Sequence, residues 1–258
     1  MSIITLTTDF GSADGYVGAM KGVILGIAPD VRLVDLSHEI AAQDVRGAEY
    51  VLGHAAAFFP AGTVHLAVVD PGVGSRRRPL LVTTPQAIYV GPDNGLFTFV
   101  LEEAGAAVFE LDRPKFWLPN ISRTFHGRDI FAPVAAHVAR GVAPHALGSL
   151  IGDPVRLPTA APLRRADGHV AGHVIHVDRF GNLITDIPGG WVDEGRWYVE
   201  IAGRRVSQFG ATYADATAGA LLILVSSAGT LEIAARDGNA AAQLGVGVGE
   251  TTILRPVA

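Results

Sequence analysis

The residues best suited to chemistry lie in the stretch Val68–Arg78, where an apolar run is followed by a carboxylate, a glycine-rich turn and three arginines. The run His65–Val69 has the apolar character of an interior strand, and Pro71 and Gly72 would end it and turn the backbone. Asp70 then falls at the carboxyl end of a strand, where open α/β sheets bind ligands. An aspartate that caps a turn beside a solvated basic run fits this stretch equally well.

Three further polar residues follow strand-like runs or precede helices in the first half of the chain. Asp9 closes the first apolar run and Asp14 precedes a helical pattern, so each could hold a ribose diol or cap the helix. The capping interpretation is favoured for Asp14 and the ribose interpretation for Asp9. His126 lies just before an apolar helix, and a lone histidine there is more often a structural hydrogen-bonding residue than a catalyst.

The second half contains two turns with recognition chemistry. Asn182 could pair with the edge of an adenine, and Phe180 could stack on its face. Taken alone, turn and core roles are favoured for these two residues. The turn Ser226–Thr230 offers hydroxyls and backbone amides that suit a carboxylate ligand, or it is a solvated loop.

Composition limits the class of protein. The 258 residues are 49% hydrophobic and 17% charged, enough for one large core or two modest ones. The absence of cysteine excludes disulfides and thiolate chemistry, and a net charge of −5 argues against a general nucleic-acid surface. No apolar run reaches the length of a bilayer span and the N-terminus has no basic leader, so we expect a cytoplasmic protein with no membrane partner.

Strand-like and helix-like patterns alternate through the first half, which predicts an α/β fold with a mainly parallel sheet of βαβ units. The predicted strands are Ile3–Thr7, Val31–Leu36, Val64–Val69, Leu80–Thr84 and Ala87–Val90, and the predicted helices are Gly15–Ile27, Ala42–Phe58, Asn94–Glu103 and Ile130–Arg140. Periodicity ends in the proline-rich stretch Gly152–Pro162. We therefore predict an N-terminal α/β domain over 1–157 and a linker over 158–167.

A smaller, mostly β domain is predicted over 168–258, because short apolar runs alternate there with Gly, Asn and Asp turns. The predicted strands are Gly168–Asp178, Leu183–Ile187, Arg196–Val206, Ala220–Val225 and Thr251–Leu254. Only Leu231–Leu244 has helical character.

Six short blocks in this order give the chain a resemblance to the adenosine-forming S-adenosyl-L-methionine hydrolase family, which is related to the fluorinating and chlorinating enzymes. The blocks are Thr8–Gly11, Val69–Gly74, Gly91–Gly95, Phe125–Asp129, Asp178–Asn182 and Ser226–Ala234. Each block is weak by itself, but together they cover both predicted domains.

The resemblance implies attack of water on the ribose 5′ carbon, which releases adenosine and L-methionine. A sulfonium leaves as a neutral thioether, so no general acid, metal or cofactor is required, and the site must orient and deprotonate a water. Asp70 fits the base, Arg77 a partner that keeps it ionised, and His126 an orienting group. The resemblance also implies other residues in place of Asp70 in halogenating relatives, because a carboxylate repels halide.

The resemblance further assigns substrate-binding roles. Asp9 would hold the ribose hydroxyls, Phe180 and Asn182 would face the adenine, and Tyr213 would stack on it. The methionine ammonium and carboxylate would be shared among Asp14, Asp178, Ser227 and Glu232. Ala228 stands where halogenating relatives have an arginine, so carboxylate recognition would depend on backbone amides and Ser227. The family implies a homotrimer with active sites between subunits.

Two other functions remain open from the residues alone. Asp9, His38, Asp70 and His126 are of the types that bind hard metal ions, and the turn after Asp70 could hold a phosphate, as in a metal-dependent phosphohydrolase. The usual paired metal spacings and a phosphate-loop Lys-Ser/Thr ending are missing. A nucleoside-binding protein without catalysis is the other alternative.

Overall fold

The computed structural model describes residues 2–158, 161–192 and 197–257. The chain divides into two compact units, Met1–Leu157 and Pro158–Ala258. Thr159, Ala160 and Arg196, which belong to the predicted linker and to one predicted strand, lie outside the described residues. None of the helices among the described residues is long and apolar enough to cross a membrane.

The first unit is a seven-stranded sheet with helices on both faces. Its strands are β1 Ile3–Thr8, β2 Arg32–Ser37, β3 Thr63–Val68, β4 Pro79–Thr83, β5 Ala87–Pro92, β6 Ala107–Glu110 and β7 Ser149–Ile151. Its helices are α1 Tyr16–Ile27, α2 Val45–Ala56, α3 Ala132–Ala139 and α4 Pro144–Leu147, with short 3₁₀ turns at Thr98–Val100 and Pro114–Phe116 and a π-helical segment at Gly127–Phe131. The strand order is β2-β1-β3-β5-β4-β6-β7.

The parallel part of this sheet is buried on both faces, which explains its nearly continuous apolar strands. Helices α1 and α3 cover one face, where Leu6, Leu66 and Phe131 belong to one core. Helix α2 covers the other face, where Leu52 packs with Val69 in a second core. Because apolar cores cover both faces of this part of the sheet, the strand ends are where polar side chains can cluster.

The predicted α/β class is confirmed, with two local differences. Strands β1, β2, β3 and β5 pair in parallel, but β4, β6 and β7 extend the sheet through antiparallel pairs. The predicted helix Asn94–Glu103 is reduced to the turn Thr98–Val100. Gly95 adopts a φ of 93° just before it, so the chain makes a turn where the apolar spacing alone indicated a helix.

Over its described residues, the second unit is an antiparallel β structure with one short helix, which confirms the predicted mostly β class. Its strands are β8 Leu163–Arg164, β9 Val170–Val177, β10 Leu183–Pro188, β11 Trp197–Ile201, β12 Arg204–Val206, β13 Leu221–Val225, β14 Thr230–Ala235 and β15 Thr251–Pro256. Its helix is α5 Ala240–Leu244, with 3₁₀ turns at Gly189–Trp191 and Tyr213–Asp215. The order is β12-β11-β15-β9-β10-β14-β13, and β8 pairs with β9.

Two predictions for this unit are wrong. The segment Leu231–Leu244 is not helical throughout, because β14 pairs with β10 on one side and β13 on the other, leaving only α5 as helix. Tertiary pairing outweighs the local helical pattern here. The single strand predicted through Val206 is instead a hairpin, since Ala202 and Gly203 have φ values of 48° and 71° and turn the chain between β11 and β12.

A histidine is buried between the sheet and α2 in the first unit. His65 is 0% exposed, and its Nδ1 lies 2.8 Å from Thr5 Oγ1 on the neighbouring strand. Its ring stacks on Tyr89 at 5.1 Å, and its Nε2 has no hydrogen-bond partner among the described residues. Burial lowers the pKa of His65 to about 4.

The buried His65 should make folding sensitive to mild acid. The unfolded chain binds a proton near the usual histidine pKa, whereas the folded chain does not, so stability falls as pH drops from about 6.5 toward about 4. Between pH 7 and 5 we expect the wild type to lose about 2 kcal/mol more unfolding free energy than His65→Gln. Urea denaturation at both pH values measures this, with the exposed His145→Gln as control. Equal losses in wild type and His65→Gln would contradict the prediction.

Candidate active site

The structure places Asp9 and Asp70 at the same edge of the first unit's sheet. Strands β1 and β3 are parallel neighbours with Thr8 opposite Val68, so the residues that follow them leave the sheet side by side. Asn94 fixes the end of β3 further, because its Nδ2 donates to the carbonyl of Val69 at 2.8 Å. This is the sheet edge that the sequence indicated for ligand binding.

Asp70, Arg77 and His126 form one hydrogen-bonded group. Arg77 Nε donates to Asp70 Oδ1 at 2.8 Å, and Arg77 Nη2 donates to Asp70 Oδ2 in a fork of two parallel bonds. The same Nη2 lies 2.9 Å from His126 Nδ1. The side chains of Arg77 and Asp70 are only 9% and 5% exposed, and the guanidinium lies over the ring of Phe131 at 5.1 Å. The carboxyl group is thus paired with Arg77 and largely shielded from water.

His126 is held as a neutral ring. Burial lowers its pKa, and the Arg77 charge adds to this, while Asp70 and Asp129 oppose it. A guanidinium can only donate, so His126 Nδ1 must accept and the ring proton resides on Nε2. The imidazole therefore presents an N–H donor on the side away from Arg77.

Two glycines allow the chain segments that carry Asp70, Arg77 and His126 to pack closely. Gly74 has a φ of 75°, and a Cβ there would strike the carbonyl oxygen of Arg123, so only glycine lets the Arg77 loop lie against the His126 loop. A Cβ at Gly127 would lie 3.2 Å from Met20 Sδ. Gly127 also begins the π-helical segment, a rare feature that is frequent at functional sites.

An aromatic cluster fixes the loops on either side of Asp9 and His126. Phe10, Tyr16 and Phe125 have ring centroids 5.2 to 5.9 Å apart in edge or tilted contacts. The cluster joins the turn after β1, the start of α1 and the segment before His126. These contacts hold the neighbouring functional side chains without using their polar groups.

Asp9 and Asp14 have different surroundings. Asp9 Oδ2 accepts from the backbone N–H of Gln43 at 2.8 Å, and Gln43 adopts a φ of 66°, which is uncommon for a residue with a side chain. Asp14 is exposed in the turn before α1. The structure therefore fixes Asp9 at the sheet edge and leaves Asp14 in solvent.

The second unit contains an open cavity of about 810 Å³. The cavity is lined by Asp178, Phe180, Asn182, Thr212, Tyr213, Ala214 and the segment 235–238. Asp178 organises one wall, because its Oδ1 accepts from the backbone N–H groups of Phe180 and Asn182, both at 2.9 Å. The Asn182 Nδ2 donates to Asp178 Oδ2 at 3.0 Å. The second N–H of this side-chain amide and its oxygen Oδ1 are left for a ligand.

Glu232 and Ser227 lie at different positions along the β13–β14 hairpin. Glu232 accepts from the hydroxyl of Tyr213 at 2.8 Å, and burial, with the nearby Asp178 charge, raises its pKa despite that bond. Burial likewise raises the pKa of Tyr213 to about 12. Ser227 is exposed on the hairpin turn, at the opposite end from the part of β14 that lines the cavity. The structure joins Glu232 to the cavity through Tyr213 and leaves Ser227 apart from it.

A metal ion does not suit the Asp70 group. Asp70 and His126 both contact the Arg77 guanidinium, whose positive charge opposes a second cation there. His38 is engaged with Thr8 Oγ1 at 2.8 Å. Across the described ranges, no group of three His, Asp or Glu side chains is arranged to hold a metal ion.

Some residues that position the candidate site residues in the two units were not identified from the sequence. Gln43 acts through its backbone N–H, and Asn239 packs against Gly181, so neither carries a side-chain pattern that sequence reasoning could use. Arg78 bridges Asp93 and Asp153 beside the Asp70 loop. The resemblance gave a role to Arg77, and the basic run by itself did not indicate one for Arg78.

Comparison with known proteins identifies the family of this chain. Residues 4–148 match the model of the SAM hydroxide adenosyltransferase N-terminal domain, and residues 172–253 match that of the C-terminal domain. The chain is 40% identical over 251 residues to an (R)-S-adenosyl-L-methionine hydrolase of Salinispora arenicola, covering 96% of this chain and 95% of the relative. It is 31% identical to a fluorinase of Actinoplanes sp. over 213 residues, 72% of this chain and 71% of the relative.

A solved structure shares the whole architecture. The crystal structure of an uncharacterized conserved protein from Thermotoga maritima superposes with a TM-score of 0.91 at 36% identity, covering 98% of this chain and all of the other. Both family domains are thus matched in order, with the buried Asp70–Arg77–His126 group inside the first. The chain belongs to the SAM hydroxide adenosyltransferase family, as its six sequence blocks predicted.

Proposed function

We propose that this protein hydrolyses S-adenosyl-L-methionine to adenosine and L-methionine. The observation that carries the proposal is the shielded Asp70–Arg77–His126 group at the ligand-binding edge of the sheet. The family membership and a relative named for this hydrolysis support it. Neither a metal ion nor a cofactor enters the proposed reaction.

The reaction is a displacement at the ribose 5′ carbon. The oxygen of a water molecule forms a bond to C5′ while the C5′–S bond breaks, and its electron pair returns the sulfonium to the neutral thioether of methionine. The water proton passes to Asp70 and then to solvent. Arg77 holds the Asp70 carboxylate in one orientation, and the His126 Nε2–H is placed to position the water.

The two units supply different parts of the proposed binding site. Asp9 holds the ribose hydroxyls, with one carboxylate oxygen fixed by Gln43. Phe180, Tyr213 and Asn182 hold the adenine in the cavity of the second unit. Asp14, Asp178, Ser227 and Glu232 remain the proposed methionine contacts, and the exposed positions of Asp14 and Ser227 require a neighbouring surface to complete that end.

We propose a cytoplasmic homotrimer, as the family resemblance implies, with each site built from the first unit of one subunit and the second unit of its neighbour. Cyclic assemblies of this kind repeat one head-to-tail contact and close after a fixed number of copies. Every copy then uses both of its units, each in a different site.

Purified protein incubated with S-adenosyl-L-methionine in ¹⁸O-labelled water should release adenosine with the label in its 5′ hydroxyl. Chromatography with mass detection measures both the product and the label, and both sulfonium epimers should be assayed because the Salinispora relative is named for the (R) form. Activity in the presence of a chelator is expected. Adenine release, or unlabelled adenosine, would reject attack of water at C5′.

The matched variants for this assay are Asp70→Asn and Asp30→Asn. Asp70→Asn keeps the shape of the buried side chain but removes the base, and we expect turnover to fall by roughly 10²–10⁴-fold with substrate binding retained. Asp30 is exposed and outside the site, so its variant should match the wild type. Turnover of Asp70→Asn within about twofold of wild type would reject Asp70 as the base.

Mixed trimers test the shared site. One inactive parent carries Asp70→Asn, and the other carries Phe180→Ala with Tyr213→Ala, which removes two rings that each contribute roughly 1–3 kcal/mol of stacking on a base. Any trimer that contains both parents has one site with both halves intact, so we expect about a third of wild-type activity. Co-expression with two different tags and tandem purification isolates these trimers. No recovery of activity would place each site within one chain.

Adenine selection should depend on Asn182. Asn182→Ala should weaken the preference for adenine over an inosine-type base by about 1–3 kcal/mol, because the free N–H and carbonyl of this amide match the adenine edge. The ratio of kcat/KM for the two substrates measures this. Asn120→Ala, an exposed amide of the first unit, is the control. An unchanged ratio would make Asn182 a turn residue only.

A further inference from the structure

The turn that carries Asp9 is fixed by a hydroxyl on the preceding residue. The backbone N–H of Phe10 donates to Thr8 Oγ1 at 3.3 Å, which closes a tight turn around Asp9. Thr8 is completely buried, so its hydroxyl cannot exchange this bond for water. The backbone conformation of Asp9 therefore depends on where the Thr8 hydroxyl points.

The Thr8 hydroxyl is held by His38, which directly follows the neighbouring strand β2. Thr8 Oγ1 lies 2.8 Å from Nδ1 of His38, which follows β2 and whose side chain is 9% exposed. Because Thr8 already accepts from Phe10, its own proton is free to be donated to His38. The carbonyl of His38 also accepts from the N–H of Gly11 at 2.8 Å, so His38 contacts both ends of the turn.

Asp35, with its partner Lys21, determines which ring nitrogen of His38 carries the proton. Its Nε2 lies 3.0 Å from Asp35 Oδ1, a charge contact without the alignment of a regular hydrogen bond. Asp35 Oδ2 accepts from Lys21 Nζ at 2.6 Å. Burial raises the pKa of Asp35, but the hydrogen bond from Lys21 and the contact with His38 outweigh it and the net shift is downward. An ionised Asp35 favours the His38 proton on Nε2, which leaves Nδ1 as the acceptor that Thr8 needs.

We propose that His38 is a positioning residue for substrate binding, which acts through the Thr8 hydroxyl to orient the Asp9 carboxylate toward the ribose. The inference rests on the proposed function, in which Asp9 holds the ribose hydroxyls. On the other side of Asp9, the Gln43 N–H fixes Oδ2. Gln43 thus holds the carboxylate directly at Oδ2, while Thr8 and His38 fix the backbone turn that carries it.

Strand β1 offers a matched pair of substitutions. Thr8→Val removes the hydroxyl that joins Phe10 to His38 and keeps the β-branched shape. Thr7→Val removes a neighbouring buried hydroxyl that has no partner among the described residues. We expect Thr8→Val to raise KM for S-adenosyl-L-methionine and the Ki of adenosine roughly three- to tenfold, the loss that one hydrogen bond represents, with kcat changed much less. Thr7→Val should match the wild type.

A ligand without the ribose diol separates positioning from general damage. The Ki of 2′,3′-dideoxyadenosine should be the same in wild type and Thr8→Val, because neither protein can use Asp9 on that ligand. His38→Ala should reproduce the Thr8→Val pattern, and His38→Asn, which keeps an acceptor near the Nδ1 position, should recover part of the loss. Thermal melting checks that all variants are folded.

The outcomes distinguish this inference from the proposed function. If the wild type releases adenosine but Thr8→Val behaves like Thr7→Val, or weakens adenosine and the dideoxy compound equally, His38 does not position Asp9. If the wild type releases no adenosine, the proposed function fails, and calorimetric titration with the same two nucleosides still decides the role of His38. A wild type that binds both nucleosides equally well would overturn the inference.

Discussion

The buried ion pair between Arg77 and Asp70 is the interaction on which the arrangement of the Asp70 group depends. A carboxylate that is 5% exposed is stable as an ion only when a partner compensates its charge, and the two-bond fork of Arg77 does so. The same guanidinium reaches His126 at 2.9 Å, so one side chain joins the end of β3 to the start of the π-helical segment. The geometry of the proposed catalytic group is therefore set by the position of a single arginine.

Much of the surrounding structure serves to place that arginine. Gly74 allows the Arg77 loop to lie against the carbonyl of Arg123, and Arg78 fixes the other end of the loop through Asp93 and Asp153. The ring of Phe131 lies beneath the guanidinium at 5.1 Å. These contacts limit the freedom of a long side chain, which lowers the entropy cost of holding it in one arrangement.

In the proposed function, the second unit has a different task, the recognition of a flat and largely apolar base. Phe180 is 74% exposed and Tyr213 45% exposed, so both rings are accessible to a ligand or to another surface. The polar groups of this cavity are tied to one another: Asp178 holds the turn that contains Asn182, and Glu232 holds Tyr213. The cavity is thus organised before a ligand arrives, and its open face agrees with the proposed contribution of a neighbouring subunit.

The sequence by itself determined the α/β class of the first half and the β class of the second half, through apolar periodicity and strand-ending prolines and glycines. The family and the roles proposed for Asp70, Arg77 and His126 came from the resemblance of six short sequence blocks to known proteins. Only the tertiary structure decided that Thr230–Ala235 is a strand, because its pairing with β10 and β13 outweighs its local helical pattern. The same holds for the contacts of Gln43 with Asp9 and of His38 with Thr8, which join residues 34 and 30 positions apart. No local pattern encodes such pairs, because their contact exists only once the parallel strands have placed distant segments at one edge.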